Sequence, residues 1–144
     1  MSYNFLNQQH KLKNQFVLPN YVMQLDLSAT ALAISCYLMY IEDRETYQCY
    51  PSYKTIGKAL KIKSKGTVAK YVQELEDKCL IYTEPTEIIL KNGKKRNGNL
   101  KYTIRPIQDA IDHFHSQQMK KFEEDTAREN VKRLIDEITK SEPS

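Results

Sequence analysis

The sequence predicts a mainly helical α+β fold: a three-helix core, a β-hairpin attached to it, and an added C-terminal helix. Two observations carry that prediction. Apolar residues recur at helical spacing in three segments between Ser28 and Asp77, and three short β-branched and aromatic runs follow around an Asn-Gly turn signal. The length of 144 residues sets the scale, since it fits one domain with an added element and leaves little room for two.

Residues 1–15 have little apolar content and no period, and read as a flexible N-terminal arm. Phe16, Val17 and Leu18 precede Pro19, which disfavours helical dihedrals, so they read as a short extended piece. Ser28 is placed to cap a first helix over Ala29 to Asp43. Ala31, Ile34, Leu38 and Ile41 form one stripe of it. Leu32, Cys36, Met39 and Tyr40 make the other side apolar too, so both sides need cover. Glu42 to Tyr47 is a charged turn before a short strand at Gln48, Cys49 and Tyr50.

Pro51-Ser52 opens a second helix running to about Leu60, with Ile56, Ala59 and Leu60 as its buried positions. Lys61-Ile62-Lys63 is a tight connection. Ser64 caps a third helix whose Val68, Val72 and Leu75 fall at helical spacing, while Lys65, Gly66, Thr67, Lys70 and Tyr71 lie off that stripe. Leu80 to Thr83, Ile88 to Leu90 and Leu100 to Ile104 have the composition of strands. Lys91 to Gly98 between them reads as the basic tip of a two-stranded hairpin. The domain built this way covers residues 16–105. After Pro106, residues 106–140 read as helix, with a break allowed where the pattern lapses. Ile107, Ile111 and Phe114 form one apolar block; Val131, Leu134, Ile135 and Ile138 form another. The blocks do not share one heptad register, so a long coiled coil is not expected.

Composition excludes several classes. With 40% hydrophobic and 28% charged residues the chain can form a core. No stretch has the layout of a signal sequence or the apolar length of a membrane span, so the expectation is a cytoplasmic protein with no membrane partner. Cys36, Cys49 and Cys79 are irregularly spaced and make no Cys-x-x-Cys pair, and read as reduced core residues rather than metal ligands. No nucleophile, carboxylate or phosphate-loop constellation points to an enzyme, and no cofactor or metal is expected. His113-Phe114-His115 spells the metal site of tyrosine nickases. That site requires a strand, however, and these residues fall in a helix that turns the two imidazoles apart.

Charge is unevenly placed. From Pro51 to Arg105 there are 13 Lys/Arg against 5 Asp/Glu, whereas the flanking segments are slightly acidic. That is the electrostatic footprint of a polyanion-binding surface. The element order is helix, short helix, tight turn, helix and hairpin, which is the winged form of the helix-turn-helix. A helix fits the major groove of double-stranded DNA, and Lys65, Thr67 and Lys70 sit near the N-terminal end that reaches base edges. Ser52, Lys54, Thr55, Lys63 and Ser64 lie at helix starts, where free N–H groups suit phosphate oxygens. Lys91, Lys94, Lys95, Arg96 and Asn97 supply the wing. Tyr71 is open between core and contact.

The runs Cys49-Tyr50-Pro51-Ser52-Tyr53-Lys54-Thr55-Ile56, Ser64-Lys65-Gly66-Thr67-Val68 and Leu75-Glu76-Asp77-Lys78-Cys79-Leu80-Ile81 resemble the winged helix-turn-helix family of bacterial phage, plasmid and conjugative-element proteins, related to N-terminal domains of replication initiators. The resemblance extends from about Phe16 to Arg105. It implies that Ser64, Lys65, Thr67, Lys70 and Tyr71 belong to the recognition helix and Lys91 to Asn97 to the wing. Two positions depart from it. Cys79 replaces the glycine that usually ends the recognition helix, which suggests a different cap. Gly66 sits near the start of that helix, costing roughly 1 kcal/mol of helix propensity but permitting close backbone approach.

The first expectation is therefore a sequence-specific DNA-binding regulator of a mobile element. The alternatives are a replication or transfer accessory factor that recruits a partner through its C-terminal helix, and a winged-helix protein-interaction module. In that helix, Ile107, Ile111 and Phe114 are expected to cover the first helix, and Val131, Leu134, Ile135 and Ile138 to form a homodimer contact.

Overall fold

The computed structural model describes residues 15–141, so the arm expected over residues 1–15 lies outside the described residues but for Gln15. The first element is one that sequence patterning misses, a 3-10 turn over Asn20–Gln24. The carbonyl of Pro19 accepts from the Val22 N–H at 3.1 Å to start it. Five residues are too few to display a helical period. Val22 and Leu25 bury their side chains and fasten the segment.

Helix α1 (Ala29–Ile41) starts where expected: the Ser28 hydroxyl accepts from the Ala31 N–H at 3.2 Å. It ends two residues before Asp43, because Glu42 is extended and the Asp43 carboxylate organises the next turn, accepting from the Glu45 N–H at 2.8 Å. Strand β1 (Gln48–Cys49) leads to helices α2 (Tyr53–Leu60) and α3 (Lys65–Asp77). Ser52 and Ser64 cap these two, accepting from Thr55 N–H at 3.0 Å and Thr67 N–H at 3.4 Å. Strands β2 (Ile81–Glu84), β3 (Glu87–Ile89), β4 (Lys95–Asn97) and β5 (Lys101–Ile104) follow, and then helix α4 (Ile107–Ser141), which is unbroken over 35 residues. The architecture is the winged helix-turn-helix with a C-terminal helix.

The wing is more elaborate than a two-stranded hairpin. Its base is a three-stranded antiparallel sheet in the order β1-β5-β2, in which Tyr102 stands between Cys49 and Thr83. Its outer part is the β3-β4 ribbon, with Ile88 opposite Arg96. Lys95 to Asn97, expected in the tip loop, are therefore strand. An exposed ribbon needs only backbone pairing, which residue composition does not announce. The turn itself is as the Asn-Gly signal predicts. Gly93 has φ +80°, Leu90 N–H donates to Lys94 O at 2.9 Å, and Gly93 N–H donates back to Leu90 O at 2.9 Å.

The core gathers Ala31, Ile34 and Leu38 of α1, Ile56 of α2, and Val68, Val72 and Leu75 of α3 over Ile81 and Tyr102 of the sheet. Ala59, expected to be buried, is exposed, and Gly57 takes its place. The α2–α3 turn folds back so closely that a Cβ on residue 57 would lie 2.7 Å from the Ile62 carbonyl oxygen. The turn is closed by a left-handed Lys61, φ 59°, and a bond from Ile62 N–H to Gly57 O of 2.8 Å.

The C-terminal helix does not cover the free side of α1 as expected. It docks instead on the Asn20–Gln24 turn, with Ala110 buried and Ile107 and Phe114 packed on the core beside Leu25. Just upstream, Arg105 N–H donates to Leu80 O at 3.0 Å, which carries the β2–β5 pairing up to the start of α4. Tyr40 of α1 is left 69% exposed.

Gly57→Ala should destabilise the domain by about 1–3 kcal/mol, because the inserted methyl forces the turn to move. Chemical denaturation measures this, and unchanged stability would contradict the packing described.

Candidate nucleic-acid interface

Helix α3 is held by its buried stripe and by two polar ties. The Glu74 carboxylate accepts from both the backbone N–H and the hydroxyl of Ser28, at 2.9 and 3.1 Å, so α3 buttresses the cap of α1. The Lys78 ammonium donates to the carbonyls of Leu25 and Asp26 at 3.1 and 3.2 Å. The end of α3 is a Schellman arrangement: Leu80 N–H reaches Leu75 O, and Cys79 N–H reaches Glu76 O, both at 3.0 Å. Cys79 adopts φ 61° there. The different cap suggested by the missing glycine is thus not used. The cysteine accepts the left-handed conformation that a glycine would take without strain.

With its inner face fixed, α3 turns its first turn outward. Lys65, Gly66 and Lys70 are exposed, and Thr67 is half-buried with its amide engaged in the cap. Tyr71 packs against the core, and the Lys70 ammonium lies 5.3 Å from its ring centroid, a cation–π geometry. The tyrosine is thus chiefly a packing residue that also positions Lys70. Space around Gly66 is open: a Cβ there would meet only the Ser64 hydroxyl, at 3.6 Å.

Across the turn, Lys54 and Thr55 of α2 are exposed, and the Thr55 hydroxyl lies 2.8 Å from that of the half-buried Ser52. Between α2 and α3 runs an open cleft of about 510 Å³, whose walls carry Lys54, Lys58, Lys61, Lys63 and Lys65 with no carboxylate. Among the described residues, none of these lysines forms an ion pair. Lys58 and Lys61 were not among the residues singled out from sequence. The available signal was the Lys54–Lys58 spacing of one helical turn, which places both on one face.

The wing cations are less united. Lys91 and Lys94 lie in the exposed turn, where the Asn92 side chain accepts from the Lys94 N–H at 3.1 Å. On β4, Lys95 and Asn97 share one face and Arg96 occupies the other. The Lys95 ammonium is 3.9 Å from the Glu87 carboxylate. The wing joins the helices at its base, where the Asn99 side chain donates to Tyr50 O at 3.1 Å and Gly98 and Leu100 line a cleft with Ser52.

His113 and His115 lie on α4, and His115 Nε2 is 2.6 Å from the Tyr21 hydroxyl. Among the described residues no cluster of His, Cys, Asp or Glu suits a metal ion. Among the described residues, no helix is long and apolar enough to cross a membrane. The three cysteines are free thiols, and only Cys49 is buried. Burial pushes the Cys49 thiol up to about 11, with the Glu42 carboxylate adding to the effect, and burial also raises Cys36.

Residues 25–81 match the model of a family described as a helix-turn-helix domain, which covers α1 through the end of α3. Similar solved structures include a protein of Methanosarcina mazei Go1 described as a "possible transcriptional regulator", at 16% identity over 90% of this chain and 99% of that chain with a TM-score of 0.43. A Staphylococcus aureus MepR mutant bound to an oligodeoxyribonucleotide is 19% identical over 95% and 96% of the two chains, with a TM-score of 0.42. Lactococcus lactis ZitR is 19% identical over 96% and 90%, with a TM-score of 0.39. Likeness at this level assigns no function. No curated protein sequence matches the chain.

Two outcomes follow from the geometry. Gly66→Ala should raise stability by up to about 1 kcal/mol, since the site is open and alanine favours helix; a thermal melt showing a lower midpoint would contradict it. The Cys49 thiol should resist alkylation at pH 8 in the folded protein. Its raised value also means that stability is full below about pH 9, the ordinary thiol value, and declines as pH rises toward 11. Rapid native-state alkylation of Cys49 would contradict this.

Proposed function

We propose that this protein binds double-stranded DNA sequence-specifically and regulates transcription in a bacterial mobile element. The observation that carries the reading is the carboxylate-free lysine cleft beside the exposed first turn of α3. A phosphate backbone attracts such a cleft at any sequence, while a helix end presented to the major groove reads bases. In this reading Lys54, Lys58, Lys61 and Lys63 neutralise phosphates, and the caps at Ser52 and Ser64 direct helix N–H groups at backbone oxygens. Lys65, Thr67 and Lys70 meet base edges. Lys91, Lys94 and Arg96 of the wing follow the adjacent groove, and Lys95, shared with Glu87, contributes less. The helix-turn-helix family match over α1–α3 supports the reading. The mobile-element setting rests on the sequence resemblance to phage, plasmid and conjugative-element proteins.

A second reading, a replication or transfer accessory factor, is favoured by the exposed apolar block near the end of α4. There the tail recruits a partner while the winged domain marks a DNA site. Removing residues 117–144 would then abolish partner capture and leave DNA affinity intact.

The division of labour is measurable in equilibrium titrations at several salt concentrations. Replacing Lys54, Lys58 and Lys63 with alanine should weaken cognate and random duplexes alike and flatten the logarithmic salt slope by about 0.9 per lost phosphate contact. Replacing Lys65 or Thr67 should instead reduce discrimination, by about 1–3 kcal/mol at one base position. Absence of salt-sensitive binding to any duplex would overturn the function.

A further inference from the structure

The cations of the wing stand beside apolar side chains that its charge does not explain. Ile89 is 72% exposed and Leu90 38%, directly before the exposed Lys91 and Lys94 of the turn. Ile88 is accounted for in part by Gly98, where a Cβ would come within 3.2 Å of it. Neither Ile89 nor Leu90 packs on the core.

Strand register fixes their directions. Ile88 stands opposite Arg96 and Ile89 opposite Lys95. Leu90 continues the ribbon, its N–H donating to Lys94 O at 2.9 Å. By the alternation of a strand, Ile88 and Leu90 share the Arg96 face and Ile89 lies on the other. The end of the ribbon is thus apolar on both faces. A flat partner would cover one face; a groove has two walls and covers both. Charge indicates whose groove it is: residues 87–97 carry Lys91, Lys94, Lys95 and Arg96 against Glu87, which Lys95 approaches at 3.9 Å. That excess suits a polyanion.

We propose that Ile89 and Leu90 form an apolar wedge with which the wing opens the minor groove of DNA. The proposal rests on the DNA-binding reading, in which α3 occupies the major groove and the groove beside it is the minor one. In B-form DNA that groove is about 6 Å wide, too narrow for a ribbon bearing side chains on both faces, since packed sheet faces stand about 10 Å apart. The tip enters by spreading the walls. Ile89 and Leu90 then rest on deoxyribose edges, while Lys91 and Lys94 take phosphates. Spreading costs least where the duplex deforms easily, as at TA steps, and most in a stiff, narrow A-tract. A wing acting by charge alone selects the opposite way, because the narrow A-tract groove concentrates negative potential and draws cations. The wedge therefore adds specificity at base pairs that α3 does not touch.

Two short duplexes of equal length and composition test this without knowledge of the operator: one alternates T and A, the other is a run of A paired with a run of T. The full chain should bind the alternating duplex about fivefold or more tightly than the A-tract, and bend it, as read by energy transfer between its ends. The double change Ile89→Thr, Leu90→Thr keeps β propensity and removes most of the apolar surface. It should retain affinity for the A-tract and an unchanged salt slope, and lose both the preference and the bend. Because α3 is the same in both proteins, the difference between them isolates the wing. Circular dichroism checks the fold of the variant. A wild-type preference for the A-tract, or a variant that keeps the wild-type preference and bend, would overturn the wedge. So would a variant that alters sedimentation of the free chain and leaves duplex preference unchanged, which would make the ribbon a protein contact. Salt-sensitive binding without preference overturns the wedge alone; absence of binding to either duplex overturns the function above together with it.

Discussion

The surface on which function is proposed depends on the inward face of α3. Val68, Val72 and Leu75 are essentially inaccessible to solvent and bear on Ile34, Leu38 and Ile56. Burial of each such side chain is worth about 1.5–3 kcal/mol, enough to fix the rotation of a 13-residue helix. Glu74 on Ser28 and Lys78 on the carbonyls of Leu25 and Asp26 add direction to that packing. Lys65, Gly66 and Lys70 face outward because their neighbours on the helix cannot. The specificity of the exposed face is thus a consequence of the core, and the same constraint draws Tyr71 inward and sets Lys70 over its ring.

Electrostatics then separates two kinds of basic residue. The cleft lysines stand without carboxylate neighbours on their walls, which costs self-repulsion in the free protein. A polyanion relieves that repulsion and releases its own counterions. Lys101 and Arg105, equally part of the basic segment, are engaged otherwise: Lys101 with Glu84 across the sheet, Arg105 with Asp109 at 3.1 Å at the start of α4. The hydrogen bond to Glu84 is the largest influence holding the Lys101 ammonium above its ordinary value. The segment's excess charge is thus partly structural, and its share facing solvent is concentrated on α2, α3 and the wing turn.

The helices were legible because their signals are local. Ser28, Ser52 and Ser64 each cap as a serine before an apolar period should. The Asn92-Gly93 turn was legible for the same reason. What was not legible depends on tertiary geometry. Gly57 replaces Ala59 inside because of how the turn returns over α2, and β4 exists because Glu87–Ile89 offers it a partner. Where α4 docks depends on the Asn20–Gln24 turn that receives it, a partner to which apolar spacing within α4 is blind. Within the candidate site, the individual residues of α3 were readable from spacing and charge. The cleft was not, since Lys58 and Lys61 join it only when the left-handed Lys61 folds α2 against α3.

Amide chemical shifts followed while a short random-sequence duplex is added at low salt would locate the contact surface residue by residue, without knowledge of the operator. The account predicts perturbations concentrated at Lys54 to Lys58, Lys63 to Lys70 and the Lys91 to Lys94 turn, with the α1 face around Tyr40 unaffected. Perturbations centred on that α1 face or on the distal half of α4, with the lysine cleft silent, would contradict it.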